Sequence, residues 1–268
     1  MYSKRHYIAG LFFVCGLALA TAMQSRAQGD RPKPDFVEVP AGTYWPLLKN
    51  TNEPSEVAVE PFRLQAAPVT NAQFLEFVRT HPKWRRSKVT RLFADNNYLQ
   101  HWKDDLELGP KAPPNAPVVN VSWFAARAYA AAQHARLPTI AEWERAAQPG
   151  FTEVDGRRDV VWTRAVEAWL AVPTPEIEPN VKQTRANFLG LYDLNLLVWE
   201  WVEDFNTSMV TGDSRGDSTL DRNLFCGAGA AGARDPSDYA AFLRGAMRSS
   251  LRADYCLPNL GFRCADSL

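Results

Sequence analysis

The sequence predicts an α+β protein that is rich in loops. Two capping-box patterns open amphipathic helices, and several short apolar or alternating segments predict strands. Long irregular connections separate these elements, and no internal repeat is visible. A few helices and many short strands in this arrangement are typical of α+β organisation.

The first 27 residues have the pattern of a signal peptide. Lys4 and Arg5 precede an apolar stretch from about residue 8 to residue 22, and Ser25-Arg26-Ala27 supplies a small-x-small cleavage site. We expect cleavage after Ala27, a periplasmic or secreted protein, and no stable membrane insertion afterwards. An uncleaved anchor is the alternative. Residues 28–34 are polar and proline-rich, which predicts a flexible leader.

Charge and cysteine content narrow the class of protein. Thirty Lys and Arg balance thirty Asp and Glu, so the composition does not favour a nucleic-acid partner. Cys226, Cys256 and Cys264 follow the expected cleavage site, and an odd number in an exported chain predicts one disulfide and one free thiol, or an intermolecular pairing. The pairing stays open. The first expectation is Cys256 with Cys264, since both flank a Pro-Asn-Leu-Gly turn, which leaves Cys226 free.

Strands come first along the mature chain. Residues 36–39 alternate like a strand that stops at Pro40-Ala41-Gly42, and residues 57–64 predict a second strand. Thr70 with Gln73 forms a capping box that opens a helix. Residues 83–117 have mixed charge and no clean period, and we interpret them as a long surface excursion.

The middle of the chain predicts two more helices and then loses its pattern. Residues 122–133 form an alanine-rich helix, and Thr139 with Glu142 forms a second capping box whose helix ends at Pro149. From residue 151 onward, prolines at 173, 175 and 179 predict irregular structure. Residues 191–202 predict a buried crossing segment. Two further stretches, 211–223 and 226–233, predict loops.

The C-terminal segment, residues 244–265, is the most informative part of the chain. Its run Asn259-Leu260-Gly261-Phe262-Arg263 predicts a turn that feeds a terminal strand. Gly261 is expected where two backbones approach closely.

Six segments, in one order over nearly all of the mature chain, resemble the formylglycine-generating enzyme, or sulfatase-modifying factor, superfamily. The resemblance implies an elaborated C-type-lectin-like α+β fold over residues 35–268. The segments are Val37…Thr43, Pro68…Phe74, Pro117…Trp123, Arg136…Glu144, Gly190…Trp201 and Asn259…Arg263.

The resemblance argues against the best-known reaction of that superfamily. Formylglycine-generating enzymes use two cysteines to bind Cu(I), a soft ion that suits thiolates. The matching positions are Asp235 and Ala240 here, so we expect no Cu(I) site and no formylglycine synthesis on sulfatases. The histidines His81, His101 and His134 lack the spacing of the iron triad in the sulfoxide-synthase branch.

The sequence looks more like exported, cysteine-poor members of the superfamily, such as pyoverdine-maturation proteins and accessory proteins of copper nitrite reductase. Two hypotheses follow. The first is a periplasmic tailoring enzyme that oxidises or modifies a peptide-derived small molecule, such as a siderophore chromophore. The second is a non-catalytic accessory module that binds and helps to mature a partner enzyme.

The resemblance also implies site residues. Tyr239, Arg248 and Asn259 match cleft positions and are the expected catalytic residues, with Trp199 and Asp235 as binding residues. A tyrosine, a guanidinium fork and an amide can orient a peptide or a phenolic ligand. The structural alternative is that Trp199 packs in the core and that Asn259 caps its own turn.

Two charged features remain. The resemblance implies a calcium site at Asp193 and Glu200, and carboxylate oxygens are suitable ligands for Ca²⁺. The alternative is a buried, hydrogen-bonded Glu200. A basic stretch is interpreted as a solvated face or a partner-docking surface rather than a nucleic-acid site. Its members are Arg79, Lys83, Arg85, Arg86, Lys88 and Arg91.

Overall fold

The computed structural model describes residues 35–46, 56–206 and 239–268. The signal peptide, the leader and the two loops predicted at 211–223 and 226–233 lie outside these residues. Helices and short strands are both present, so the predicted α+β class is confirmed. The strands are β1 (Phe36–Val39), β2 (Gly42–Tyr44), β3 (Val57–Val59), β4 (Phe62–Gln65), β5 (Trp199–Glu200), β6 (Leu260–Gly261) and β7 (Ala265–Ser267). The α-helices are α1 (Asn71–Thr80), α2 (Trp123–Ala132), α3 (Ile140–Ala147), α4 (Val160–Ala171) and α5 (Tyr239–Ser250).

The described strands form three small sheets. Strand β4 lies between β1 and β7 in an antiparallel sheet, β2 pairs with β3 antiparallel, and β5 pairs with β6 parallel. The single strand predicted over residues 57–64 is therefore wrong, since it divides into β3 and β4. The division falls at Glu60–Pro61, where proline has no N–H for a ladder hydrogen bond. Strand β2 was not predicted.

The helices that begin at capping boxes are confirmed. Thr70 accepts from the backbone N–H of Gln73, and the Gln73 side chain accepts from Thr70. Thr139 and Glu142 make the same reciprocal pair at the start of α3. Ser122 caps α2 by accepting from the Ala125 N–H. The sequence analysis missed α4 and α5. Among the described residues no helix combines the length and the apolar character needed to cross a bilayer.

The interpretation of residues 83–117 as a surface excursion is wrong in part. The backbone is irregular, as expected, yet Trp84, Tyr98 and Trp102 are buried in the main core. The chain can be buried without regular structure because side chains satisfy its carbonyl groups: the Tyr98 hydroxyl donates to the Trp84 carbonyl, and Arg86 donates to the Trp102 carbonyl.

The C-terminal segment confirms two predictions. Strand β7 is the terminal strand, and it completes the sheet beside β4. A Cβ atom on Gly261 would lie 2.7 Å from the Val118 carbonyl oxygen, so the close backbone approach expected there is real. Residues 191–202 are also a buried crossing segment, with Leu191 and Trp201 almost fully buried.

Candidate functional site

A cleft of about 640 Å³ opens between β2, α3, α4 and the first turn of α5. Its volume lies in the range of small-molecule and peptide sites. Polar and apolar side chains share its walls. The walls include Tyr44, Glu144, Arg145, Trp162, Val166, Asn195, Ala240 and Arg244.

Helix α3 supplies a buried acid to the cleft wall. The helix turns Trp143, Ala146 and Ala147 toward the core. Glu144 follows Trp143 directly and lines the cleft, where its side chain is only 12% exposed. A carboxylate buried to this degree requires charged partners.

Helix α5 supplies those partners one turn apart. Arg244 donates to both Glu144 oxygens, at 3.0 Å from Nε and 2.7 Å from Nη2. Arg248 donates from Nη1 to Glu144 Oε1 at 2.5 Å. Arg244 also donates to Asn195 Oδ1 at 3.1 Å. Asn195 has a left-handed backbone with φ of 61°, a conformation that asparagine tolerates better than most residues. We call Glu144, Arg244 and Arg248 the cleft cluster.

The indole of Trp143 supports the cleft cluster from the core side. The guanidinium carbons of Arg248 and Arg244 lie 5.0 Å and 5.6 Å from its ring centroid. These are cation–π distances, and the flat guanidinium is well suited to such stacking. The two arginines are thus held by an aromatic face as well as by the carboxylate.

The charges determine which proton states are present in the cleft. Burial by itself would raise the pKa of Glu144, but Arg244 and Arg248 outweigh it and lower that pKa to about 2. Burial raises the pKa of Tyr44 to about 12, and Glu144 adds to the effect. Near neutral pH, Glu144 is therefore a fixed anion that accepts hydrogen bonds, and the Tyr44 phenol keeps its proton.

Arg145 shows why a glycine stands in β2. A Cβ atom on Gly42 would lie 2.8 Å from Arg145 Nη2 and closer still to Nε, so any side chain at this position would require the Arg145 guanidinium to move. Within the described residues, Arg145 Nε is buried and has no hydrogen-bond partner.

Of the residues expected in one cleft, Trp199 and Asn259 lie together, since the Trp199 N–H donates to the Asn259 carbonyl at 2.9 Å, but neither residue lines the cleft described above. Arg248 is buried in the cleft cluster. Asn259 is half-buried and donates to Thr174 Oγ1 at 3.1 Å. Trp199 packs edge-on against Trp169 at 5.0 Å. The Tyr239 backbone begins α5, whereas its side chain and Asp235 lie outside the described residues.

Asp193 and Glu200 do not fit the calcium site that the resemblance implies. The Asp193 carboxylate accepts from the Lys182 N–H and the Thr184 hydroxyl, both at 2.7 Å. Glu200 accepts from Nε and Nη2 of Arg263 and from Trp143 Nε1, all at 2.8 Å. At Glu200 a guanidinium thus lies where a metal cation would have to bind. Across residues 35–46, 56–206 and 239–268 no group of three metal-ligating side chains occurs.

The expected Cys256–Cys264 disulfide is wrong. Both side chains are buried free thiols. They belong to different surroundings, since Cys256 lies beside Asp95 and Tyr98, whereas Cys264 pairs through its backbone with Gln65 and lies near Tyr129. Burial raises the pKa of both thiols. Cys226 lies outside the described residues.

The sequence analysis did not single out Tyr44, Glu144, Asn195 or Arg244. Glu144 and Asn195 occur inside the segments used for the resemblance, and Arg244 begins the C-terminal segment. Two arginines four positions apart in an apolar segment are a usable signal. An i, i+4 pair shares one helix face, so Arg244 and Arg248 are expected to meet the same partner once a helix is assumed.

Comparisons with known proteins agree with this architecture. The sulfatase-modifying factor enzyme 1-like domain family matches residues 21–268. The chain is 31% identical to a formylglycine-generating enzyme of Streptomyces coelicolor, over 78% of this chain and 79% of that protein. It is 28% identical to the inactive C-alpha-formylglycine-generating enzyme 2 of Mus musculus, over 89% and 88%. The crystal structure of CarF matches 87% of this chain and 98% of that chain, with a TM-score of 0.50 and 18% identity.

Proposed function

Because the chain belongs to the sulfatase-modifying factor enzyme 1-like family, we propose that it is an exported maturation protein that binds and modifies a peptide-derived small molecule in its cleft. The modified molecule would be of the siderophore-chromophore type. The signal peptide predicted at residues 1–27 is the reason to assign the protein to the periplasm or the exterior.

One observation carries the proposal. Ala240 occupies a position at which the resemblance expects a copper-binding cysteine, and Ala240 lines the cleft. Arg244 lies one helical turn further along α5 and lines the same cleft. These two positions support a binding role for the cleft, whose described wall presents an alanine beside a carboxylate–guanidinium pair.

The cleft walls can bind a ligand with a polar end and an apolar end. Tyr44 and Arg244 offer donors, Glu144 offers a fixed acceptor, and Trp162 with Val166 offers apolar surface on α4. A peptide-derived molecule carries amide, carboxyl and ring groups that match this set. We assign binding and orientation to these residues rather than proton transfer, because the pKa values of Glu144 and Tyr44 lie far from neutrality on opposite sides.

A cleft-filling variant tests the proposal in cells. Ala240→Trp should fill the cleft at α5, whereas Ala168→Trp adds the same side chain at an exposed position of α4. A strain without the gene is complemented with each variant, and its secreted peptide-derived metabolites are compared by mass spectrometry. We expect a precursor to accumulate with Ala240→Trp and not with Ala168→Trp. Purified full-length protein should then convert that precursor. Identical metabolite profiles for all strains would contradict the proposal.

The accessory hypothesis is the second candidate. It is favoured by the similarity to a relative that is named inactive and by the absence, among the described cleft residues, of a group whose pKa lies near neutrality. In that case the deletion strain would lose the activity of a partner enzyme, such as a copper nitrite reductase. The purified protein would co-purify with that enzyme and would leave every accumulated metabolite unchanged.

A further inference from the structure

A second groove of about 400 Å³ lies between the segment after α1 and the exposed side of α2. Its lining shares no residue with the cleft described above. We propose that this groove docks an acidic segment of a partner polypeptide that carries an aromatic or aliphatic side chain. We call it the basic groove.

The floor of the basic groove is a row of aromatic rings. Trp84 lies 6.2 Å from Phe93, Phe93 lies 5.3 Å from Phe124, and Phe124 lies 5.4 Å from Trp123, between ring centroids. Phe93 remains 40% exposed and its neighbour Leu92 is 73% exposed. Large apolar side chains exposed together on a protein surface mark an interaction site more often than single ones do.

Cations flank both ends of this row. Lys83 Nζ lies 5.7 Å from the Trp84 ring, and the Arg127 guanidinium lies 5.0 Å from the Trp123 ring. Lys88 also lines the groove. Arg127 pairs with Glu203 at 3.0 Å, whereas neither Lys83 nor Lys88 forms an ion pair within the described part of the chain.

The charge of the basic groove stands out because the whole chain is neutral. Residues 77–94 contain six Lys and Arg and no Asp or Glu, in a protein with a net charge of zero. Two of these cations are used internally, since Arg79 pairs with Glu76 and Arg86 donates to backbone carbonyls. Lys83 and Lys88 remain exposed toward solvent. Complementarity therefore requires an anionic partner.

A polypeptide fits this groove better than a nucleic acid does. Phosphate backbones are bound by basic tracks in proteins of high isoelectric point, whereas this chain has a value near 6.9. A groove of this volume accommodates a few side chains, and aromatic and arginine residues are the types enriched at the centres of protein interfaces. The acidic groups would meet Lys83 and Lys88, and the apolar side chain would lie on Phe93 and Phe124.

The test measures binding of a fluorescein-labelled peptide that alternates glutamate with phenylalanine and leucine to the full chain, by fluorescence anisotropy. One control peptide has serine in place of glutamate, and another has alanine in place of phenylalanine and leucine. We expect the anisotropy to rise with protein concentration for the peptide that carries both glutamate and the apolar residues, and not for either control peptide. The double variant Lys83→Glu/Lys88→Glu should weaken binding at least tenfold, and Phe93→Ser should weaken it without any change in charge.

Arg164→Glu/Arg185→Glu is the matched control, since it reverses two exposed cations that do not line the basic groove and form no ion pair within the described residues. It should bind like the parent protein, and circular dichroism should show that all variants are folded. Equal binding by the groove variant and the control variant would overturn the proposal. Failure of the parent protein to bind the acidic peptide would also overturn it. Displacement of the bound peptide by a single-stranded oligonucleotide that binds more tightly would do the same. The outcome does not depend on the cleft, so it is separate from the proposed function.

Discussion

Two carboxylate–guanidinium clusters lie on either side of Trp143, and they differ in their access to a cavity. On the core side, Trp143 Nε1 donates to Glu200, which pairs with Arg263. On the cleft side, the face of the same indole supports Arg244 and Arg248, which share Glu144. We call Glu200 and Arg263 the core pair.

The core pair is neutral and closed. Both side chains are fully buried, and Arg263 also donates to the carbonyls of Gln65, Ala66 and Tyr192. It connects β4, β5 and the loop before β5. In the cleft cluster two arginines share Glu144, and Glu144 and Arg244 line a cavity. The closed core pair supports the fold, whereas the cleft cluster presents charged groups to a cavity.

Breaking the core pair should have the largest effect. Arg263→Met leaves Glu200 as an unpaired buried charge and should lower the free energy of unfolding by about 3 to 5 kcal/mol. Arg63→Met is the matched control, because Arg63 pairs with Asp266 at the surface, with side chains 45% and 33% exposed. That change should cost less than about 1 kcal/mol. Urea unfolding measures the free energy of unfolding of both variants. A loss for Arg263→Met that is as small as the loss expected for Arg63→Met would show that the core pair is not structural.

Removing the carboxylate of the cleft cluster should have a smaller effect on stability, and that effect should depend on pH. The folded pKa of Glu144 is lowered from 4.5 to about 2, so its stabilisation is present above pH 4.5 and is lost as the pH falls toward 2. Glu144→Gln should be less stable than the parent by about 2 to 3 kcal/mol at pH 7. That difference should shrink steadily on acidification below pH 4.5. A difference that stays constant down to pH 2 would mean that the arginines do not hold Glu144 ionised.

Glu178 extends the comparison to a buried carboxylate that forms no ion pair among residues 35–46, 56–206 and 239–268. Its Oε1 has no hydrogen-bond partner within the described residues, and burial raises its pKa to about 7. A raised carboxyl pKa means that stability is lost as the pH rises from 4.5 through 7. Glu178→Gln should therefore gain about 1 kcal/mol over the parent at pH 8 and nothing at pH 4. Equal stability at pH 8 would show that Glu178 ionises without cost in the folded protein.

Local patterns account for what was predicted correctly. The capping boxes at Thr70 and Thr139 concern residues three positions apart, so their geometry is present in the sequence itself. The close approach at Gly261 was predictable for a related reason, because a glycine within a strand pattern marks such contacts. Helix α4 was missed because the prolines that follow it masked a helix already capped by Asp159.

The amino-acid sequence by itself determined the α+β class, the starts of α1, α2 and α3, and the segments that identify the family. Only the tertiary structure decided what the charged residues do. Glu144 meets Arg244 across 100 residues, and Glu200 meets Arg263 across 63. The resemblance implied a calcium ligand at Glu200, and the structure shows the alternative, a buried and hydrogen-bonded carboxylate. The sequence alone does not show which partner a carboxylate meets. Packing brings a guanidinium to it, and the burial of both groups makes that pairing necessary.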